Sequence, residues 1–65
     1  MRISLNGEPR EVSATRLTDV LAELGLAEAR IATAVNGQFV PAIGRDGMAL
    51  EEGDRLEVVA PQQGG

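Results

Sequence analysis

An α+β fold, one helix laid across a mixed sheet of about five strands, is predicted by three observations on this 65-residue chain. Two Asn-Gly pairs, Asn6-Gly7 and Asn36-Gly37, each stand between two short strand-like runs, the strongest short-range signal of a hairpin. Leu17, Val20, Leu21 and Leu24 fall at i, i+3, i+4 and i+7, which lines one face of a helix. A last run sets Leu56 and Val58 against Glu57 and Val59, the period of a strand.

The elements follow in order. Ile3 and Leu5 alternate with Arg2, Ser4 and Asn6, so the first strand is half-buried. Asn6 and Gly7 both tolerate positive φ and turn the chain. A second strand runs over Arg10, Glu11 and Val12, and Pro9 near its start suits an edge, where a missing N–H costs little. The helix comes next, with Thr15 as N-cap and Ser13 as the competing choice, since either hydroxyl can accept from a free first-turn N–H. Gly25 is its left-handed C′ residue, which lets Leu26 fold back. Ile31, Thr33 and Val35, alternating with Ala32 and Ala34, make the third strand. Gln38, Phe39 and Val40 make the fourth after the Asn36-Gly37 turn, and Pro41 ends it. Residues 42–49 read as irregular, broken by Gly44 and Gly47, with Leu50 returning to the core and Met48 covering it. Glu51-Glu52-Gly53-Asp54 is a turn. Two hairpins flank a helix that needs a sheet to bury its stripe. With the first and last strands adjacent and parallel, this is the β-grasp arrangement. The folded domain is expected to span residues 1–60, and residues 61–65 to be a flexible tail.

Composition narrows the function. A domain this small buries only about 60% of the surface its unfolded chain exposes. No cysteine is present to staple it, so the core must suffice. Histidine, the usual general base and the commonest metal ligand, is absent too. A self-contained hydrolase, a zinc module and a redox protein are therefore disfavoured, and no bound metal or cofactor is expected. Ten acidic residues against six arginines and no lysine give a formal charge of −4, and Phe39 is the single aromatic. Neither nucleic acid nor an anionic membrane suits such a chain. Without a signal-peptide h-region or an apolar run of transmembrane length, the expected location is the cytoplasm. Glu51, Glu52 and Asp54 read as a solvated turn rather than a metal cluster. Ser4, Ser13, Thr15, Thr18 and Thr33 lack a histidine to activate their hydroxyls. Phe39 reads as core or sheet-face packing. Val59, apolar on the outward face of the last strand and beside the tail, is a candidate for partner contact, with Phe39 as a second.

Chemistry is expected at the end of the chain. Gly64 and Gly65 carry no Cβ, so with Gln63 they form a slim tether that can thread a carboxylate into another protein's narrow active site. A carboxylate is inert to acyl transfer until its oxygen becomes a good leaving group. Adenylation by ATP does this, and a sulfur or amine nucleophile can then attack. On this reading the chain is the substrate of an enzyme rather than an enzyme, and Gly65 is the residue modified.

Several stretches resemble the bacterial sulfur carriers of thiamine biosynthesis. They are Met1-Arg2-Ile3-Ser4-Leu5-Asn6-Gly7-Glu8, the helix over 15–26, Ala34-Val35-Asn36-Gly37-Gln38-Phe39-Val40-Pro41, Gly53-Asp54-Arg55-Leu56-Glu57-Val58-Val59-Ala60 and the closing Gln63-Gly64-Gly65. Essentially the whole chain is covered. The resemblance implies a ubiquitin-like β-grasp carrier whose Gly65 carboxylate is adenylated by an E1-like adenylyltransferase, which consumes the ATP. Conversion to a thiocarboxylate would use sulfur from a cysteine-desulfurase persulfide or a related donor, and thiazole synthase would receive it. One departure concerns the loop after Val40-Pro41, where such carriers often have a basic residue and then a tryptophan; this chain has Ala42-Ile43-Gly44-Arg45. Two further readings share the tail chemistry. One is a carrier for another pathway, like the small subunit of molybdopterin synthase, although such proteins tend to be longer. The other is a ubiquitin-like modifier joined to lysines on targets, which could not build chains on itself because it has no lysine.

Overall fold

The computed structural model describes residues 1–27 and 30–60. Along the chain come β1 (Arg2–Leu5), β2 (Glu8–Glu11), α1 (Leu17–Glu23), β3 (Ala32–Val35), β4 (Gln38–Val40), a 3-10 segment (Ala42–Gly47) and β5 (Arg55–Val59). The strands form one sheet in the order β2-β1-β5-β3-β4. β1 and β5 pair in parallel and the other neighbours antiparallel, which is the β-grasp topology. β5 therefore lies at the centre of the sheet, held on both sides.

Both hairpins close with positive φ at their two central residues, 51° and 87° at Asn6 and Gly7, 51° and 85° at Asn36 and Gly37. That is the turn whose twist matches a two-residue connection. Its tightness shifts β2 from the expected residues 10–12, because pairing starts at once with Leu5 opposite Glu8. Pro9 then falls inside the strand, opposite Ser4. The Met1 ammonium donates to the Val12 carbonyl at 2.7 Å and the Val12 N–H to the Met1 carbonyl at 2.9 Å. Counting back from that bonded pair, Ser4–Pro9 is a non-bonded one, so the missing N–H of Pro9 faces the open edge.

α1 turns Leu17, Val20 and Leu21 inward, where they meet Ile3, Val12, Val35, Val40, Leu50 and Leu56. Its C-terminus closes as the sequence predicts. Gly25 stands at φ 81°, the Leu26 N–H donates to the Leu21 carbonyl at 2.8 Å, and the Gly25 N–H to the Ala22 carbonyl at 3.1 Å. The N-terminus differs. Arg16, extended at φ −75° and ψ 137°, occupies the N-cap position and makes no side-chain cap bond, so neither Thr15 nor Ser13 caps the helix. Residues 48–50 supply the partners instead. The Thr15 carbonyl accepts from the Leu50 N–H at 2.8 Å, Arg16 bridges Ala49, and the Leu17 N–H donates to the Met48 carbonyl at 2.8 Å.

The far end of the helix reaches back to the preceding loop. Glu23 Oε1 accepts from the Ala14 N–H at 3.0 Å, and Oε2 from the Ser13 N–H at 2.9 Å. The Ala14 bond and then the Ser13 bond hold the Glu23 carboxyl below its ordinary value of 4.5. A group whose folded pKa lies below its unfolded one stabilises above the unfolded pKa, and the contribution is lost as pH falls through the folded value. In an NMR titration Glu23 is expected to titrate below 4.5, with the Ser13 and Ala14 amides losing exchange protection through the same midpoint. Glu23→Gln should remove that coupled acid-side transition; its persistence in the variant would place the cause elsewhere.

Residues 42–47, expected to be irregular, form the 3-10 segment. Side chains fasten it. The Thr18 hydroxyl donates to Asp46 Oδ1 at 2.6 Å, and Arg45 Nη2 donates to the Ile31 carbonyl at 2.8 Å. Arg45 Nε donates to the Thr33 hydroxyl at 3.2 Å, which itself donates to the Val40 carbonyl at 2.7 Å. Thr33, 1% exposed, is thus a buried polar group with its bonds made.

Candidate functional site at the end of β5

Alternation along β5 sends Leu56 and Val58 toward the helix and leaves Arg55, Glu57 and Val59 on the outer face. Val59, the last residue of the strand, is 64% exposed, as the sequence predicts. Phe39 is 68% exposed and is not part of the core. The reason is register: Val35 pairs with Gln38 across the two-residue turn, which sets Phe39 opposite Ala34, on the outer face.

Val59 pairs with Ala32, while Ala34 pairs with both Phe39 and Glu57. The two apolar side chains therefore share the outer face, two strands and two residues apart, about 12 Å between their backbones. Small alanines lie between them. Val59 also borders a shallow depression of about 360 Å³, lined with it by Arg30, Ile31 and Ala32. Gln63, Gly64 and Gly65 lie outside the described residues, as does the expected tail from Pro61 onward.

A feature not read from the sequence anchors this strand. Both hairpin asparagines use their side-chain amides to clip β5. Asn6 Nδ2 donates to the Val58 carbonyl at 3.1 Å, and its Oδ1 accepts from the Val58 N–H at 2.9 Å. Asn36 Oδ1 accepts from the Arg55 N–H at 2.9 Å, and its Nδ2 donates to Asp54 Oδ1 at 3.0 Å. The Asn6 amide pairs with both backbone groups of Val58 as an extra strand residue would, near the end of β5, and the Asn36 amide ties the first residue of β5 to the Asp54 carboxylate before it. The available signal was the choice of asparagine at both turns, since aspartate tolerates the same φ but cannot donate.

The other candidates have structural roles. Asp54 Oδ2 accepts from the Glu51 N–H at 2.8 Å and closes the turn, and Glu52 Oε1 accepts from the Arg2 N–H at 3.0 Å and ties it to β1. No three histidine, cysteine or acidic side chains converge for a metal among the described residues. Nor, among them, is any helix long and apolar enough to cross a membrane. Ile43 stands 93% exposed in the loop where the resemblance to known carriers is interrupted.

Known proteins share this sequence and shape. The sequence profile of the ThiS family matches residues 3–65. The sulfur carrier protein ThiS of Thermus thermophilus is 38% identical over 61 residues, covering 94% of this chain and 95% of that protein. A thiazole synthase of Paramagnetospirillum magneticum is 36% identical over 66 residues; all of this chain is covered, and it spans 20% of that protein's length. The crystal structure of a thiamine biosynthesis protein (ThiS) from Geobacter metallireducens superposes with a TM-score of 0.83 at 26% identity, covering 100% of both chains. A solution structure of a thiamine biosynthesis protein from that organism gives 0.78 at 26% identity, covering 100% of this chain and 88% of the other. Shared from Ile3 onward and built as the same five strands around one helix, this chain belongs to the ThiS family, the sulfur carriers of thiamine biosynthesis.

Proposed function

We propose that this carrier holds its sulfur as a thiocarboxylate on Gly65, with residues 1–60 as the folded body and 61–65 as the tail that reaches into partner enzymes. The observation behind this is that the family match extends through Gly64-Gly65 in a chain with no cysteine to hold sulfur. Five extended residues reach about 17 Å, enough to thread a carboxylate into a buried site. Gly64 and Gln63 thread in behind Gly65, and the absence of a Cβ on the glycines permits close approach to a nucleotide.

The chemistry follows from the acyl group. An oxygen of the Gly65 carboxylate attacks the α-phosphorus of ATP in an E1-like adenylyltransferase, and pyrophosphate leaves. A persulfide from a cysteine desulfurase or another donor attacks the acyl carbon, and AMP leaves. A thiol then cleaves the S–S bond, becoming a disulfide, and the thiocarboxylate remains. The partner consumes the ATP; the carrier supplies neither base nor metal, and the work is done in the cytoplasm. Thiazole synthase as the acceptor is supported by the Paramagnetospirillum protein of that name, which contains a stretch similar to this whole chain. Carrier and acceptor on one polypeptide meet at high effective concentration.

Val59, beside the tail, and Phe39 are the proposed docking contacts. Val59→Glu should weaken binding to the adenylyltransferase by about tenfold, roughly 1.4 kcal/mol. Its melting temperature should stay with the parent, because the side chain is 64% exposed. Calorimetric titration beside a thermal melt checks both; a parallel loss of stability would show that Val59 holds the fold rather than a partner.

Gly65 itself is tested by incubating the protein with ATP, the adenylyltransferase and a persulfide donor, then alkylating thiols and recording the intact mass. With no cysteine in the chain, alkylation mapped to the C-terminal peptide reports the thiocarboxylate. An unlabelled tail with a demonstrably active enzyme would overturn the proposal.

A further inference from the structure

The asparagines that clip β5 each precede glycine, so no side chain shields the next backbone nitrogen. We propose that Asn36-Gly37, and with it Asn6-Gly7, is a self-modification site: a deamidation that the folded chain restrains and that, once it occurs, weakens the hold on β5.

The reaction needs only water. The Gly37 backbone nitrogen attacks Asn36 Cγ, a C–N bond forms, the Cγ–Nδ2 bond breaks, and ammonia leaves with the proton from that nitrogen. Water then opens the cyclic imide at one of its two carbonyls, giving aspartate or isoaspartate and one released proton.

Restraint comes from the clip. Asn36 holds Asp54 and Arg55 through its amide, and its backbone N–H donates to the Arg55 carbonyl at 2.8 Å. Asn6 holds Val58 through its amide and donates its N–H to the Leu56 carbonyl at 2.9 Å. Both side chains are committed to β5. Cyclisation requires them to leave those partners and swing back onto the following glycine, so the reaction runs from a locally opened turn.

The aspartate product restores only the accepting half of each clip. An ionised aspartate has no donor. At position 36 its oxygen would face Asp54 Oδ1 where a donor now sits at 3.0 Å, charge against charge. At position 6 it would face the Val58 carbonyl. Isoaspartate adds a methylene to the backbone of a two-residue turn and disturbs the register it sets. Both lesions fall on the strand that ends at Val59.

The test incubates the protein in mildly alkaline buffer, native and in urea, and follows the two Asn-Gly peptides by mass. The native chain should deamidate at least about tenfold more slowly. Asn36→Gly keeps a glycine-tolerant turn but removes both amide bonds, whereas Asn36→Asp keeps an acceptor for the Arg55 N–H and sets a carboxylate against Asp54. Both variants should therefore melt below the parent, Asn36→Asp by about 5 °C or more. Equal rates in buffer and urea, or an Asn36→Asp protein that melts with the parent, would overturn the proposal.

Discussion

Removal of Gly65 is expected to abolish thiocarboxylate formation and leave the melting temperature unchanged. The buried apolar residues run from Ile3 to Leu56, and Gly65 brings no side chain to them. Stability should therefore not register the loss. Reactivity should, because the shortened chain places its carboxylate about 3.5 Å behind its proper position. A displacement of even 1 Å from an in-line geometry costs on the order of 100-fold, so labelling should fall by at least about that factor. Thiol alkylation followed by intact mass reads the first quantity and a thermal melt the second. A truncated chain that still acquires the label would put the sulfur elsewhere. A melt that drops on truncation would make the tail part of the domain.

What the sequence disclosed and what it withheld divide by range. The helix stripe of Leu17, Val20, Leu21 and Leu24, the Asn-Gly turns and the Gly25 terminus are local patterns, and each stands where it was read. Thr15 is not the cap because its carbonyl is engaged by Leu50, a residue far along the chain. The 3-10 segment is fixed by Thr18 reaching Asp46 and by Arg45 reaching Thr33 and Ile31, contacts that no window on residues 42–49 contains. Phe39 is a different case. With Thr33 and Val35 inward, a two-residue turn forces Val40 inward and Phe39 outward, so counting across Asn36-Gly37 would have excluded it from the core. At the proposed site, the outward Val59 was legible from alternation. The amide clips were not, because an asparagine in a hairpin already has a sufficient explanation in its φ.

Leu56→Ala should produce the largest loss of stability of any single truncation in β5. Leu56 is fully buried in the middle strand, opposite Leu5 of β1 on one side and Val35 of β3 on the other. Removing its three outer carbons leaves a cavity bounded by strands that cannot close upon it, because both neighbours are fixed by backbone pairing. Such truncations cost about 2–5 kcal/mol. At roughly 0.05–0.15 kcal/mol per residue, a domain of this size has about 3–10 kcal/mol in total. At the middle of both ranges about half of the stability should vanish, seen as a denaturation midpoint that drops with little change in slope. A loss below about 1 kcal/mol would show that the sheet relaxes around the site and that the core is centred elsewhere. The functional consequence separates this variant from the Gly65 deletion. Leu56→Ala keeps its tail and loses its body, so labelling at Gly65 should track the folded fraction and recover as conditions favour folding. The Gly65 deletion should fold and melt as the parent does and be unreactive at every temperature. Agreement on both would assign the chemistry to the tail and its presentation to β5.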